Sequence, residues 1–254
     1  MKKTFDLAFY HFKLEFLSLR ACVLCFFFLI FNGIFFYNYL DIYISSQKSL
    51  YTQVHGNYSF TNFLSSYFSM VNLLLVLLIP ATTMGSFAED KKNGSYRLFL
   101  SSPLKTAEIV FAKYFANTLI IFSLLMMTSI YFVFLAFHGS LDYGIIGCAY
   151  LGLFLFSCAQ IAYGFWVSSM CKSQLSAFIL TLMGLFLVFI INSISSLVKG
   201  DGLTASILRF ISTSEHIKPF FSGLISLVDT NYFVALVSFF LFLTICVIDS
   251  WRWR

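Results

Sequence analysis

Six long apolar runs constrain this chain more than any other feature of its sequence. A helix needs about 20 apolar residues to cross about 30 Å of hydrocarbon. The runs cover about residues 21–40, 63–84, 114–137, 144–168, 175–198 and 231–249. Each is long enough to span a membrane and holds only scattered polar residues. The sequence therefore predicts an all-α polytopic membrane protein with six transmembrane helices over residues 21–254.

The composition excludes a soluble globular protein and a disordered chain. Hydrophobic residues make up 59% of the chain and charged residues 11%, against about 45–50% and about 25% in soluble domains. The 34 Phe residues argue against disorder, because disordered chains are poor in aromatic residues.

Cys22 and Cys25 have the CxxC spacing, but no second pair follows them. Two interpretations stay open. The cysteines either behave as small apolar residues or form a metal or redox pair.

The first 20 residues carry a helical pattern that precedes the first apolar run. Aromatic and aliphatic side chains recur every three or four positions, at Phe5, Phe9, Phe12, Phe16 and Leu19. Lysines fall mostly on the other side, so we expect an amphipathic helix over 1–20 in the plane of the membrane interface. A helix packed on a partner protein is the alternative. The apolar run after it is too long and begins too late for a signal peptide.

The distribution of Lys and Arg predicts the orientation of the chain. With a cytoplasmic N-terminus, twelve of the 16 basic residues lie inside and four lie outside. Cytoplasmic segments are enriched in Lys and Arg, so both termini are predicted to be cytoplasmic. Trp251 and Trp253, which alternate with Arg252 and Arg254, are typical of an anchor at the inner surface.

The chain lacks the motifs of an energy-converting or hydrolytic enzyme. It has no GxxxxGK[ST], no HExxH and no GxSxG, and its four histidines lack metal-ligand spacing. The apolar runs hold no obvious ionisable residue, which argues against a transporter that carries its own ion coupling. We predict a non-catalytic membrane protein without a metal or a cofactor of its own.

Neutral polar residues lie within or near the apolar runs. They hydrogen-bond between helices or line a candidate translocation path. They are Asn32, Asn72, Asn117, Gln160 and Asn192.

The connection over residues 85–113 concentrates charge in one short segment. An acidic pair, Glu89 and Asp90, precedes a basic pair, Lys91 and Lys92, and Asn93-Gly94 signals a turn. Charged and apolar residues together suit a docking element for a partner. A solvated loop that only fixes the topology is the alternative. The helix is expected to continue past Pro80, just before this segment. Pro80 is either a tolerated kink or a bend that aims the segment.

Two stretches of the chain resemble a known family. Phe87-Ala-Glu-Asp-Lys-Lys-Asn-Gly-Ser-Tyr-Arg-Leu-Phe-Leu-Ser-Ser-Pro-Leu, followed by Glu108-Ile-Val-Phe-Ala-Lys113-Tyr, is similar to the signature of type-2 ABC transporter permeases. The gliding-motility and Nos-type branch is the most similar. The stretch from Ser214 to Phe233 resembles a second motif of that branch. Two departures are Arg97, in place of the usual Glu, and Ser226, where the branch often has Asp.

The resemblance implies that the segment contains a coupling helix, which seats in a separate ATP-hydrolysing subunit. That partner would hold the ATP and magnesium. Two ATPase copies and a second permease, identical or different, would complete the transporter. The complex would lie in the bacterial inner membrane, and no nucleic-acid partner is expected. The implied coupling residues are Phe87, Glu89, Asp90, Lys91, Lys92, Gly94, Ser95, Arg97, Leu98 and Phe99.

The connection over residues 199–230 is unusually apolar for a solvated loop. A re-entrant or interface-lying pair of short helices fits it better. The resemblance implies an extracytoplasmic gate there, formed by His216, Pro219, Phe220 and Gly223.

The sequence thus predicts a permease subunit of an ATP-driven transporter, most simply an exporter. The alternatives are a non-transporting membrane component of such a machine, in a motility or maturation system, and a scaffold or channel without an ATPase. Neutral polar groups and abundant Phe favour lipids, amphiphiles or hydrophobic peptides over bare ions as cargo.

Overall fold

The computed structural model describes residues 9, 12–16, 18–49, 60–94, 105–137, 142–197 and 212–251. All regular elements in these ranges are helices, which confirms the all-α prediction. Six helical stretches are long and apolar enough to cross a membrane, as predicted. The helices are α1 (Leu19–Ser49), α2 (Phe60–Thr83), α3 (Gly85–Asn93), α4 (Thr106–Ala136), α5 (Tyr143–Met170), α6 (Gln174–Leu197), α7 (Thr213–Phe221) and α8 (Leu227–Ser250).

Several helices extend beyond the apolar runs that predicted them. Helix α1 continues nine residues past position 40, and α4 begins at Thr106 rather than near 114. Backbone hydrogen bonds propagate a helix through polar residues once it is nucleated, so the apolar run gives only its minimum length. At the start of α4, the backbone N–H of Lys105 donates to Glu108 Oε2 over 3.1 Å, which satisfies one of the N–H groups that a helix start leaves without an intrahelical partner.

Helix α5 is the centre of the bundle and packs against α2, α3, α4, α6, α7 and α8. Two glycines allow this close packing. A Cβ at Gly164 would lie 2.5 Å from Thr83 Oγ1, and a Cβ at Gly152 would lie 2.5 Å from Phe220 Cβ. Helices in membranes associate through such small residues, because no hydrophobic force drives them together in lipid.

An aromatic cluster fills the bundle between α1, α2 and α4. Tyr67, Phe68 and Phe132 are buried and stack or meet edge-on, with ring centroids 5.3–5.6 Å apart. Phe36 of α1 joins them, 5.3 Å from Tyr67. The Tyr67 hydroxyl donates to Asn32 Oδ1 over 3.0 Å, so the polar end of this buried ring has a partner.

Helices α1 and α6 have the opposite character, since many of their large apolar side chains are exposed. This surface suits lipid contact in a protein with six candidate spans.

The N-terminal segment lies against the bundle. Residues 12–16 are helical, and the rings of Phe12 and Phe16 stack 5.3 Å apart. Both rings pack against the hydrophobic core. Most of the predicted interfacial helix over 1–20, including Phe5, lies outside the described residues.

Candidate functional site

The charged helix α3 is a direct extension of the spanning helix α2. Helix α2 continues past Pro80 to Thr83, and the N–H of Met84 donates to Pro80 O over 3.0 Å. Met84 keeps helical angles, φ −57° and ψ −35°, before α3 begins at Gly85. The helix therefore does continue past Pro80, as predicted. A single-residue turn joins the charged segment to the membrane-spanning part.

The first turn of α3 is buried against α5. The ring of Phe87 meets that of Phe165 edge-on, with centroids 5.4 Å apart. The N–H groups of Phe87 and Ala88 lie 3.3 Å from Ser168 Oγ, and the Ser168 hydroxyl donates to Met84 O over 3.2 Å. N–H groups at a helix start lack intrahelical acceptors. Here a serine from another helix supplies the acceptor and attaches α3 to α5.

A lysine of α4 holds α3 from a second side. The Lys113 ammonium forms an ion pair with Asp90 and also donates to the carbonyl oxygen of Ser86. It lies 5.0 Å from the centroid of the Phe87 ring. Both partners are largely buried, with 10% of the Lys113 side chain and 20% of the Asp90 side chain exposed. A buried charge needs a nearby partner, so the pair keeps Asp90 of α3 next to Lys113 of α4. This contact fixes the direction of α3.

The end of α3 approaches the last turn of α8. Lys91 Nζ lies 3.5 Å from Ser169 O and 4.5 Å from the centroid of the Trp251 ring. The Thr106 hydroxyl donates to Asp249 Oδ1 over 2.5 Å and joins α4 to α8 nearby. We call this end of the bundle, where α3, the start of α4 and the end of α8 meet, the charged end.

The predicted coupling residues therefore occupy different environments. Phe87 is 3% exposed and faces the interior, and Asp90 forms an ion pair with Lys113. Lys92 is exposed to the outside, and Gly94 ends the helix in the left-handed conformation at φ 72°. Glu89 and Lys91 are half-buried. Ser95, Arg97, Leu98 and Phe99 lie outside the described residues.

Lys113 was not among the predicted site residues, although it stands in the motif that carried the resemblance. The signal that could have found it is a lysine at the start of an apolar run. Such a lysine needs a partner if the helix is packed on others.

The opposite end of the bundle holds the short helix α7. His216 Nδ1 lies 2.6 Å from Asp229 Oδ1 of α8, and both residues are buried. The imidazole also stacks on the Tyr232 ring, with centroids 4.0 Å apart. Asp229 and Tyr232 were not predicted as gate residues, although both stand in the second motif. The structure shows that they hold α7 against α8.

The other predicted gate residues lie at the C-terminal end of α7. Phe220 is fully buried on Gly152 of α5. The carbonyl of Pro219 accepts from Leu224 N over 2.9 Å, and Gly223 turns the chain at φ 84° beside Ile145. Only a glycine adopts this backbone conformation without strain. The first part of the predicted re-entrant segment, residues 199–211, lies outside the described residues.

The predicted path residues contact different neighbours. Asn32 bonds to Tyr67, and Asn117 Nδ2 lies 3.5 Å from Ser86 Oγ and from Lys113 O. Gln160 is buried, and neither polar atom of its amide has a partner within the described part of the chain. Asn72 is half-buried. The side chain of Asn192 lies outside the described residues. No common path through these residues follows from their contacts.

The arrangement can transmit force. An outside partner that moves α3 would act on α4 through Lys113 and on α5 through Ser168. Helix α5 carries α7 on Gly152 at the other end.

One comparison with known families gives a match over nearly the whole described bundle. The family described as "ABC-2 family transporter protein" matches residues 12–248. The match starts in the N-terminal helical turn and ends in the last turn of α8. It does not separate the branches of that family. No curated protein matches the chain.

Proposed function

The chain belongs to the ABC-2 family of transporter proteins, and on that premise we propose that it is a permease subunit driven by a separate ATPase chain. It is a multi-pass membrane component, with six helices among the described residues that are long and apolar enough to span the bilayer. The partner ATPase, which would hold ATP and magnesium, would dock on the charged end. With that end in the cytoplasm, the excess of basic residues there agrees with the positive-inside rule.

The observation that carries the proposal is the attachment of α3 to two spanning helices at once. Asp90 pairs with Lys113 of α4, while Phe87 and Ala88 bond to Ser168 of α5. A solvated loop that only fixes topology would not need buried attachments of this kind. A partner that pushes on α3 would move α2, α4 and α5 as one body, which is how closure of an ATPase dimer could become a rigid-body shift of the bundle.

The outward surface of α3 supports a contact with the ATPase at this helix. Lys92 is exposed, and Lys91 and Lys92 lie in the last turn, where positive charge is favoured by the helix dipole. The contact surface would continue into the residues after Gly94. Phe87 then acts from the inside, by fixing the direction of the helix, rather than by touching the partner.

We infer that two ATPases and a second permease complete the unit, in the bacterial inner membrane, and that the direction is export. The abundance of apolar and neutral polar groups supports a lipid, amphiphile or hydrophobic peptide as cargo. We also propose that the chain belongs to the gliding-motility and Nos-type branch, on the basis of the two motifs.

Co-purification with the ATPase encoded by a neighbouring gene tests the docking role. Lys92→Glu reverses an exposed charge, and Gly94→Pro cannot keep φ at 72° because proline fixes φ near −65°. Both variants should reach the membrane but retain less ATPase and stimulate less hydrolysis. Lys218→Glu makes the same charge change at the opposite end and should behave as the unaltered protein.

Unchanged ATPase retention and hydrolysis in Lys92→Glu and Gly94→Pro would refute docking at α3. Retained, stimulated ATPase without ATP-dependent movement of any co-purified molecule in proteoliposomes would instead favour the non-transporting component. Mass spectrometry of material that co-purifies with the complex would supply the cargo to be followed.

A further inference from the structure

A partly open pocket of about 720 Å³ lies at the charged end, between the last turns of α3, α5 and α8. Its volume is in the range of about 300–1,000 Å³ that is typical of small-molecule sites. Neither Lys113 nor Ser168, which hold α3 in the bundle, lines this pocket. The pocket is therefore separate from the contacts that attach α3.

Three lysines line the pocket. Lys91 and Lys92 come from the last turn of α3, and Lys172 comes from the connection between α5 and α6. Lys92 and Lys172 are exposed and form no ion pair within the described part of the chain. The lining residues that the structure describes include no carboxylate, so this lining is positive whatever Lys91 contacts. Ammonium groups around one space repel each other, and an anion between them would offset that repulsion.

The side chain of Lys91 is held at the pocket wall. Its Nζ lies 3.5 Å from Ser169 O at the end of α5 and 4.5 Å from the centroid of the Trp251 ring. These contacts restrict a flexible side chain before any ligand arrives. Less conformational freedom is then lost when an anion binds beside it.

The spanning helices contribute apolar side chains to the same wall. Met170 of α5 is 56% exposed, and Val247 of α8 is half-buried. The ring of Trp251 follows directly after α8, and tryptophan is enriched where a membrane meets water. Such a surface suits the first part of an acyl chain, because apolar contact removes both surfaces from water.

The pocket lies at the depth of lipid head groups. Helix α5 ends at Met170 and α8 ends at Ser250, and both are candidate membrane spans. The 28 residues of α5 have a length of about 42 Å at about 1.5 Å per residue. A bilayer is about 40–45 Å thick when its head-group regions are included. The end of α5, and the pocket beside it, therefore reach the head-group region.

The charge of the pocket distinguishes between lipid head groups. Phosphatidylcholine and phosphatidylethanolamine carry a cationic group next to the phosphate, whereas phosphatidylglycerol carries none. A positive lining favours the head group with a net negative charge. Hydrogen bonds from an ammonium to a phosphate are about twice as strong as those between neutral groups. Basic pockets between membrane helices bind anionic head groups in this way.

We propose that this pocket binds the phosphate group of an anionic phospholipid. Lys92 and Lys172 donate to the phosphate oxygens, while Lys91 stays against Trp251. The first part of an acyl chain lies along Met170. Lys92 also belongs to the surface of α3 proposed for the ATPase, so the test uses Lys172. Binding requires only this chain and a lipid, and it is measured without an ATPase.

Native mass spectrometry of the full chain in detergent micelles measures the affinity for each lipid. Dioleoylphosphatidylglycerol and dioleoylphosphatidylcholine have the same acyl chains and differ in net charge. The phosphatidylglycerol should bind at least about tenfold more tightly, because its phosphate has no cation of its own to compete with the lysines. Equal affinities for the two lipids would overturn the proposal.

A soluble head group separates a lipid from a free phosphate compound. Glycerophosphoglycerol has the same phosphate and no acyl chain. It should compete with phosphatidylglycerol at least about a hundredfold less well than the intact lipid does, since every buried CH₂ group adds to the affinity. Competition as strong as that of the intact lipid would overturn the lipid as the occupant.

Lys172→Gln removes one ammonium group and keeps an exposed polar side chain. It should weaken phosphatidylglycerol binding about tenfold, because a hydrogen bond to a charged group is lost, and should leave phosphatidylcholine binding unchanged. Lys105→Gln is the matched control, because Lys105 is exposed at the same end of the bundle and does not line the pocket. Equal phosphatidylglycerol affinity in both variants would overturn the site. Unchanged lipid binding with reduced ATPase retention in Lys172→Gln would also overturn it and would assign the pocket to the ATPase.

Discussion

The Lys113 ammonium bridges the Asp90 carboxylate and the carbonyl oxygen of Ser86, so that α4 holds the charged helix α3 from inside the bundle. Both contacts are made within one helical turn of α3. They set the direction in which α3 leaves the membrane-spanning helix α2. Any force applied to α3 therefore reaches α4 directly.

Lys113→Met should loosen α3 without unfolding the bundle. Removal of the ammonium leaves the Asp90 carboxylate and the Ser86 carbonyl without their donor, which costs about 1–3 kcal/mol. Hydrogen exchange of residues 85–93 should rise accordingly. Lys92→Met removes an exposed charge from the same helix and should change exchange little. Equal protection of α3 in both variants would show that the Lys113 pair does not fix its direction.

Gly152→Ala should displace α7 from α5. The added Cβ would lie 2.5 Å from Phe220 Cβ, and overpacking of this kind costs about 1–3 kcal/mol. The thermal unfolding midpoint in detergent should fall. Gly147→Ala, on the same helix, is the matched control, because a Cβ at Gly147 would have no neighbouring atom within 4 Å. If both variants unfold at the same temperature, α7 is not seated on Gly152 as the structure shows.

The N-terminal segment should be held more weakly as the pH rises. Burial raises the pKa of Glu15 from 4.5 to about 7, so the docked segment binds more protons than the detached one between these values. Attachment is then strongest below about pH 4.5 and weakens as the pH rises to about 7. Hydrogen exchange of residues 12–16, corrected for its intrinsic pH dependence, measures this change.

Glu15→Gln should remove that pH dependence and keep the segment attached above pH 7. A pH profile identical to that of the unaltered chain would show that Glu15 does not control the attachment. The corresponding control is Glu215→Gln, which should keep the original profile.

Asp229→Asn should weaken the attachment of α7 to α8. The carboxylate lies 2.6 Å from His216 Nδ1 in a buried position, and loss of its charge removes a charge-assisted hydrogen bond that contributes about 1.5–3 kcal/mol. Exchange of residues 213–221 should increase. Glu215→Gln alters an exposed pair with Lys218 and should change exchange little. Unaltered exchange in Asp229→Asn would show that the Asp229 carboxylate does not hold α7 against α8.

Much of the fold could be predicted from local patterns. Apolar runs of about 20 residues have one stable solution in lipid, because only a helix satisfies its own backbone there. The six spans follow from this, as does the helical continuation past Pro80. The ends of α1 and α4 could not be predicted, because helices continue into polar sequence where neighbours or caps support them.

The sequence predicted a docking element at the charges of Glu89 to Lys92, but it could not predict which of these residues are buried. In the structure, Phe87 is buried against Phe165, and Asp90 forms an ion pair with Lys113, 23 positions later in the chain. Asp229 was likewise found only through its contact with His216.

The sequence by itself determined that this chain is a six-span α-helical membrane protein of the ABC-2 family, because run length, charge placement and motif are local properties. Only the tertiary structure decided which face of α3 is turned inward and which helices hold it. Those outcomes depend on pairs of residues far apart in the chain, such as Phe87 with Ser168. Their proximity is set by the packing of α2, α4 and α5 and not by any local pattern.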